Sequence, residues 1–201
     1  HMIQFGYDRS NYNINLNAIR SLSEVLEKSN TSQQSLLHST FFEDTWTPNK
    51  KLRLVLGLRN TFFSEKKINY LEPRLSGTFN VSPNLTIEGA AGKNNQFIHQ
   101  FNNSFGTRSS NSTWIISGKR VPIVRSSNSQ IGIHLKNHFS EGSFSLYTRN
   151  SEGHFNFEKF LSPMNILSDN SNINSDYLLE NEGKEKSDGG ELLLRRKNKS
   201  I

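Results

Sequence analysis

Arginines set among large aromatic rings can grip an anionic or sugar-bearing ligand, because the guanidinium fork matches a carboxylate and the rings offer flat apolar faces. Between Asn94 and roughly Ser127 the chain carries that mixture: Phe97, Phe101 and Trp114 lie among Arg108, Arg120 and Arg125. Phe97, Arg108, Trp114, Arg120 and Arg125 are therefore the ligand-binding candidates. The same rings equally serve to pack a loop onto its neighbours. A second charged set, Arg53, Arg59, Arg74 and Glu88, falls within alternating segments. These side chains either line a wet interior or pair across strands as structural charges.

Catalytic and metal chemistry finds no comparable footing, and no cofactor is expected. His38, His99, His134, His138 and His154 are dispersed, and the four-residue step from His134 to His138 does not bring two ligands together on a strand as it would on a helix. The adjacent acids Glu43 and Asp44 point to opposite faces of a strand, so they form no carboxylate dyad. Gly89, Gly92 and Gly106 are too widely spaced for a phosphate-cradling loop.

The elements that must position these residues read as strands. Leu52, Leu54, Leu56 and Leu58 alternate with Arg53, Val55, Gly57 and Arg59, which puts an apolar face opposite a charged one. Leu75, Gly77, Phe79 and Val81 repeat the pattern, and after Ser82-Pro83-Asn84 the chain returns as Leu85, Ile87, Gly89 and Ala91, a hairpin. A further pair holds Ile131, Ile133 and Leu135, then Phe144, Leu146 and Thr148; a last strand covers Glu191 to Arg196, where Leu192-Leu193-Leu194 breaks the alternation. Ile3, Phe5 and Tyr7 begin the series, and Leu36 to Trp46 is a strand of mixed phase. About nine strands are expected. From Asn15 to Gln34 the spacing of Ile19, Leu22, Val25 and Leu26 predicts a long loop with a short amphipathic helical turn or two.

The connections alternate in length. Short turns fall at Thr47 to Lys51, at Ser82-Pro83-Asn84 and at His138 to Gly142, whereas Ser64 to Tyr70, Asn94 to roughly Ser127, and Asn150 to roughly Gly183 are long and polar. A transmembrane β-barrel is organised this way, with short turns on the periplasmic rim and long loops outside. Trp46, Phe62, Phe63, Tyr70 and Phe139 near strand ends fit interfacial girdles, or equally an ordinary core.

Composition narrows the classes. The 201 residues are 33% hydrophobic, with a mean hydropathy of −0.64. No stretch approaches the roughly 20 apolar residues of a spanning helix, which excludes helical membrane proteins and leaves barrels open. The absence of cysteine excludes disulfides and thiolate metal sites. A net charge of +6 raises nucleic-acid binding, but the basic residues are scattered except at Arg195 to Lys199, with no accompanying recognition motif. A solvated surface accounts for the charge, and no nucleic-acid partner is expected. His1-Met2 reads as an expression scar, leaving 3–201 as the structured part.

Several of these segments, taken in order, resemble the middle portion of the β-barrel of a TonB-dependent outer-membrane receptor. Leu71-Glu72-Pro73-Arg74-Leu75-Ser76 followed by Val81-Ser82-Pro83-Asn84-Leu85 is similar to that family's hairpin, and Gly89 to Lys93 continues like its next strand. Upstream, Glu43-Asp44-Thr45-Trp46 and Gly57-Leu58-Arg59 resemble the preceding hairpin. Downstream, Trp114, Pro122, Arg125-Ser126 and Gly132 resemble the passage leading out of a long external loop, and Gly183 to Leu192 a later strand start. Asp188 stands where the family has an aromatic residue.

The resemblance implies an all-β antiparallel up-and-down meander forming part of a large transmembrane barrel in the Gram-negative outer membrane, with long external loops near 15–34, 94–127 and 150–183. It implies uptake of a scarce small nutrient of the siderophore, cobalamin or glycan class, with outer-membrane lipid, a plug domain and TonB as partners of the full-length parent. Neither plug, TonB-contacting segment nor aromatic-ended last strand is found here, so a fragment is expected, one that self-associates through open strand edges. The alternative from a different class is an autonomous soluble all-β module binding a carbohydrate or surface partner, in which the apolar faces would turn inward.

Overall fold

The computed structural model describes residues 1–22, 25–104, 110–118, 121–154 and 183–196. Among them the chain forms ten strands: β1 (Met2–Leu22), β2 (Val25–Asn49), β3 (Leu52–Phe63), β4 (Ile68–Ser82), β5 (Leu85–Gln96), β6 (Ile98–Ser104), β7 (Ser110–Ile116), β8 (Val124–Lys136), β9 (Ser140–His154) and β10 (Gly183–Arg196). Eight make one antiparallel sheet in the order β1-β2-β3-β4-β5-β8-β9-β10, while β6 and β7 pair only with each other. Every strand of the main sheet lies beside its neighbour in sequence except across β5 and β8, which flank the inserted hairpin. The expected meander is the observed one.

Side-chain amides and hydroxyls close the short turns. Asn49 Oδ1 accepts from the Lys51 and Leu52 amides at 2.8 and 3.0 Å, Ser82 Oγ accepts from the Asn84 amide at 3.2 Å, and Asn137 Oδ1 accepts from the Phe139 and Ser140 amides at 2.9 and 2.6 Å. Asn and Ser at these positions substitute for backbone partners where the ladder stops, so each reversal needs few residues. All three turns lie at one end of the sheet.

The opposite end carries the longer connections, with two differences from the sequence reading. Among the described residues of 15–34 there is no helical turn: β1 and β2 stay in register up to Leu22↔Val25. Because β3 ends at the Leu37↔Phe63 rung, the rest of β1 and β2 stands beyond the sheet as a two-stranded ribbon. Between Phe63 and Ile68 the connection is only Ser64–Lys67, with Lys67 in the left-handed region at φ 54°. The β5-to-β8 connection, by contrast, holds the β6–β7 hairpin, which packs against the ribbon; the Ile116 amide donates to Gln33 Oε1 at 3.0 Å. Of the expected loop 150–183, residues 155–182 lie outside the described residues.

The buried core sits at this same end. Leu37, Phe63, Tyr70, Phe97, Ile116 and Ile123 form it, with Tyr12, Ile14 and Ile98 packed alongside. Phe97 lies 4.9 Å from Phe63 and 5.2 Å from Tyr70, ring centre to ring centre. The hairpin is thus bolted to the sheet by aromatic packing.

Candidate functional site

Register divides the main sheet into two chemically distinct faces. Directly opposed residues share a face and successive residues alternate, so pairings such as Leu56↔Leu75↔Ala91 and Ile87↔Ile133↔Phe144↔Leu192 place all these side chains together. Ile3, Phe5, Phe42, Leu58, Phe79, Ile131, Leu135, Leu146 and Leu194 join them by the same count. Most of this apolar stripe is exposed, Phe5 by 82%. The broken alternation at the end resolves here too: Leu192 and Leu194 belong to the stripe, and Leu193 to the other face.

The other face is polar. Arg53 stands opposite Thr78, Arg59 opposite Glu72, Arg74 between Gly57 and Gly92, and Glu88 between Thr78 and Gly132, so the four charged candidates share one surface. Arg59 is its most connected member. It donates to Ser39 Oγ at 3.0 Å and lies 4.0 Å from both Asp8 and Glu72, while Ser39 and Thr61 share a hydrogen bond at 3.0 Å. Glu72 is only 6% exposed and accepts from the Asn95 backbone and side-chain amides at 2.7 and 3.2 Å. Glu88 pairs with His134 at 2.9 Å, and Arg149 reaches Ser126 at 3.4 Å. Sequence reading missed Glu72, Asp8 and Arg149 as members of this surface, although the strand period passing through Arg74 pointed to Glu72.

Two aromatic rings complete the polar face at its edges. A Cβ added to Gly6 or Gly189 would stand 2.4 Å from the ring of Phe41 or Tyr147 respectively. Each ring therefore lies flat over the glycine it faces on an edge strand, β1 or β10.

The ligand candidates are dispersed. Phe97 is buried in the rim core, which gives it a packing role. Trp114 is half exposed on β7. Arg125 pairs with Glu152 at 3.8 Å and points to the apolar-stripe side of β8. Arg108 and Arg120 lie outside the described residues.

Near these residues the rim holds a buried histidine. His99 is 6% exposed and lies 2.9 Å from Ser117 Oγ, which donates to the Pro122 carbonyl at 2.9 Å. Burial holds its imidazole below the ordinary pKa, a hydrogen bond with Pro122 opposes that, and the charge of His154 adds to the depression. The unfolded rim thus binds a proton that the folded rim resists. Its stability is full above the ordinary histidine pKa of about 6.5 and falls as the pH drops through that value toward the folded one. Amide exchange across β6 and β7, corrected for intrinsic rates, is expected to quicken between pH 7.5 and 5.5 in the native protein and to change less in His99→Gln. Equal pH dependence in both would assign the effect to another group.

A polar face backed by an exposed apolar stripe, with short turns at one end and elaborated connections at the other, is the cross-section of a membrane barrel wall. β3 and β5 have 12 residues each, about 40 Å of strand at ~3.3 Å per residue. That length crosses an apolar band about 25 Å tall at a tilt of about 40°. The family model for the β-barrel of TonB dependent receptor-like proteins matches residues 1–197. The chain belongs to that family. This TonB-dependent receptor barrel chain is accordingly a component of the Gram-negative outer membrane.

Solved structures agree at the level of fold. The ferric enterobactin receptor PfeA from Pseudomonas aeruginosa, as an R480A/Q482A mutant, superposes with a TM-score of 0.55 at 13% identity, over 76% of this chain and 24% of that one. The siderophore receptors PirA from Acinetobacter baumannii and from P. aeruginosa give 0.50 and 0.51 at 12% and 11% identity, each over 76% of this chain and over 28% and 33% of theirs. The chain spans about a quarter to a third of the length of these receptors. No curated protein matches it by sequence.

Proposed function

We propose that the protein carrying this chain is a TonB-dependent importer of a scarce nutrient, with a ferric siderophore as the first candidate and cobalamin or a glycan as the others. The carrying observation is the polar face: Asp8, Arg59, Glu72, Arg74, Glu88 and Arg149 line one side of a sheet whose other side is apolar. Such a surface serves as the wall of a wet or plugged lumen. Arg53, Arg59, Arg74 and Glu88 are its lumen-facing charges, offered to a plug domain of the full-length protein that moves under force from TonB. The siderophore class is favoured because the structural neighbours are siderophore receptors by name. Trp114, half exposed on the β6–β7 hairpin, is proposed as a ligand contact, together with Arg108 and Arg120 from the same stretch of sequence.

The test is import. Gram-negative cells stripped of their own receptors and supplied with the full-length protein are given radioiron complexes of catecholate, hydroxamate and carboxylate siderophores, then labelled cobalamin and oligosaccharides. Accumulation of one class that vanishes without TonB is the expected result. Failure to import any of them, with the protein folded in the outer membrane, would overturn the reading.

A further inference from the structure

One rung of the polar face runs Glu43↔Gly57↔Arg74↔Gly92↔Asn128↔Arg149↔Ser187, from β2 to β10. Its two arginines stand on β4 and β9, separated by β5 and β8, which is about 14 Å at ~4.8 Å per strand. They lean toward each other. Arg74 inclines over Gly92: a Cβ added there would stand 3.8 Å from Arg74 Cγ. Arg149 reaches back from β9 to β8, where its guanidinium donates to Ser126 Oγ at 3.4 Å. Gly92 puts no side chain between them, so the two cations face a shared space. A cavity of about 630 Å³ opens there, lined by both arginines with Asn128, Gln130, Tyr147 and Ser187.

No acid answers these charges. Arg59 is held between Asp8 and Glu72, and Glu88 is taken by His134, but Arg74 and Arg149 have no ion pair among the described residues. Glu43 also lines the cavity, from the other side of Arg74. A Cβ added to Gly57 would stand 3.6 Å from Glu43 Oε2 and 3.7 Å from Arg74 Cβ, so this carboxylate lies beside the root of the arginine and beyond ion-pair distance of its guanidinium. Two like charges inclined toward one space repel each other until an anion comes between them. Guanidinium forks match the two oxygens of a carboxylate, and Asn128 adds an amide donor on the floor between the forks.

We propose that Arg74, Arg149 and Asn128 form an anion site on the lumen wall, and that its ligand is a carboxylate. Two sources supply that group: an acidic side chain of the plug domain, or an acid group of the nutrient on its way through. In the second case the site selects acid-bearing complexes over neutral sugars, because a hydroxyl leaves both guanidinium charges unanswered. It stands on the main sheet, apart from the hairpin that carries Trp114.

The test uses the full-length protein in neutral detergent, a water-soluble carbodiimide and peptide mass spectrometry. Arg74→Lys and Arg149→Lys keep each charge and introduce a primary amine, which the reagent joins to an adjacent carboxylate as an amide with loss of one water. Each variant, shown to be folded by heat-modifiable gel migration, is treated alone and with citrate. The native pair Lys186 and Asp188, at 3.1 Å, couples in every sample and shows that the reagent acts. Lys93, which has no ion pair among the described residues, reports background coupling. A carboxylate held in place reacts far faster than one met in solution, so amide at position 74 or 149 is expected in at least tenfold excess over Lys93. An amide to an acidic residue of the plug identifies the first source, and a citrate adduct the second. Coupling only to Glu43 or another acid of these strands, or no excess over Lys93 at either position with and without citrate, would overturn the site. Because the site faces a lumen, it rests on the importer reading above; coupling is read in purified protein without import, so either can fail while the other stands.

Discussion

Ile133→Arg is expected to destabilise the membrane-folded protein by about 2–4 kcal/mol, the cost of a charge on the lipid face near the middle of the bilayer. Ile133 is flanked across the ladder by Ile87 and Phe144 and along its own strand by Ile131 and Leu135, so an arginine there finds no acid on its face nearby. Ser143→Arg is the matched control. Ser143 lies next to Phe144 but on the polar face, opposite His134 and Leu193, where an arginine stays in a wet environment and costs less than about 1 kcal/mol. Urea titration of folding into vesicles measures both. Similar costs for the two variants would mean that the faces do not differ in solvent.

Phe63→Ala is expected to cost about 3–5 kcal/mol, the range for removing a large buried ring and leaving a cavity. Phe63 is 0% exposed at the end of β3 and packs at a tilt against Phe97, the residue that leads into the β6–β7 hairpin. Its loss removes the ring on which Phe97 and the rest of the rim core close. What remains is single hydrogen bonds worth about 1 kcal/mol each, the Ile116 amide to Gln33 on the ribbon and, closing the base of the hairpin, the Ser117 amide to the Phe97 carbonyl at 2.8 Å. The variant should therefore lose the hairpin before the sheet. Limited proteolysis is expected to cut between β6 and β7 while heat-modifiable migration of the barrel persists. Cleavage spread evenly over all connections would show instead that Phe63 supports the sheet as a whole.

What the sequence disclosed follows from where the physical constraint is strict. Leu52 to Leu58 alternate because one side of β3 meets hydrocarbon and the other does not, and that contrast writes a period of two into the residues. The short turns were legible because Asn49, Ser82 and Asn137 carry the side-chain acceptors that tight reversals use. The β1–β2 ribbon was misread as a loop with helical turns because it stands beyond the sheet. No apolar band imposes alternation there, and the spacing of Ile19, Leu22, Val25 and Leu26 matches a helix while the backbone pairs as strands. The β6–β7 hairpin stayed hidden for a related reason: its residues answer to the rim core and the ribbon, not to a membrane.

The charged residues divide in the same way. Arg53, Arg59, Arg74 and Glu88 share one face because they lie on strands whose phase the leucines fix. Arg125 falls within the stretch Asn94 to Ser127 that reads as a loop in the sequence, where nothing before Ile131 reveals the strand's phase. Register puts it on the outward face beside Glu152, and Phe97, chosen as an aromatic ligand contact, proves to be core.

The leucine face of this sheet meets lipid and the arginine face meets water. The chain has no native cysteine, so a single cysteine can be placed at each position from 53 to 58 and spin-labelled with the protein in lipid vesicles. Collision with dissolved oxygen, which concentrates in hydrocarbon, is expected to peak at positions 54, 56 and 58, and collision with a water-soluble nickel chelate at 53, 55 and 57. The opposite phase, or equal access of the chelate to all six positions, would contradict the barrel.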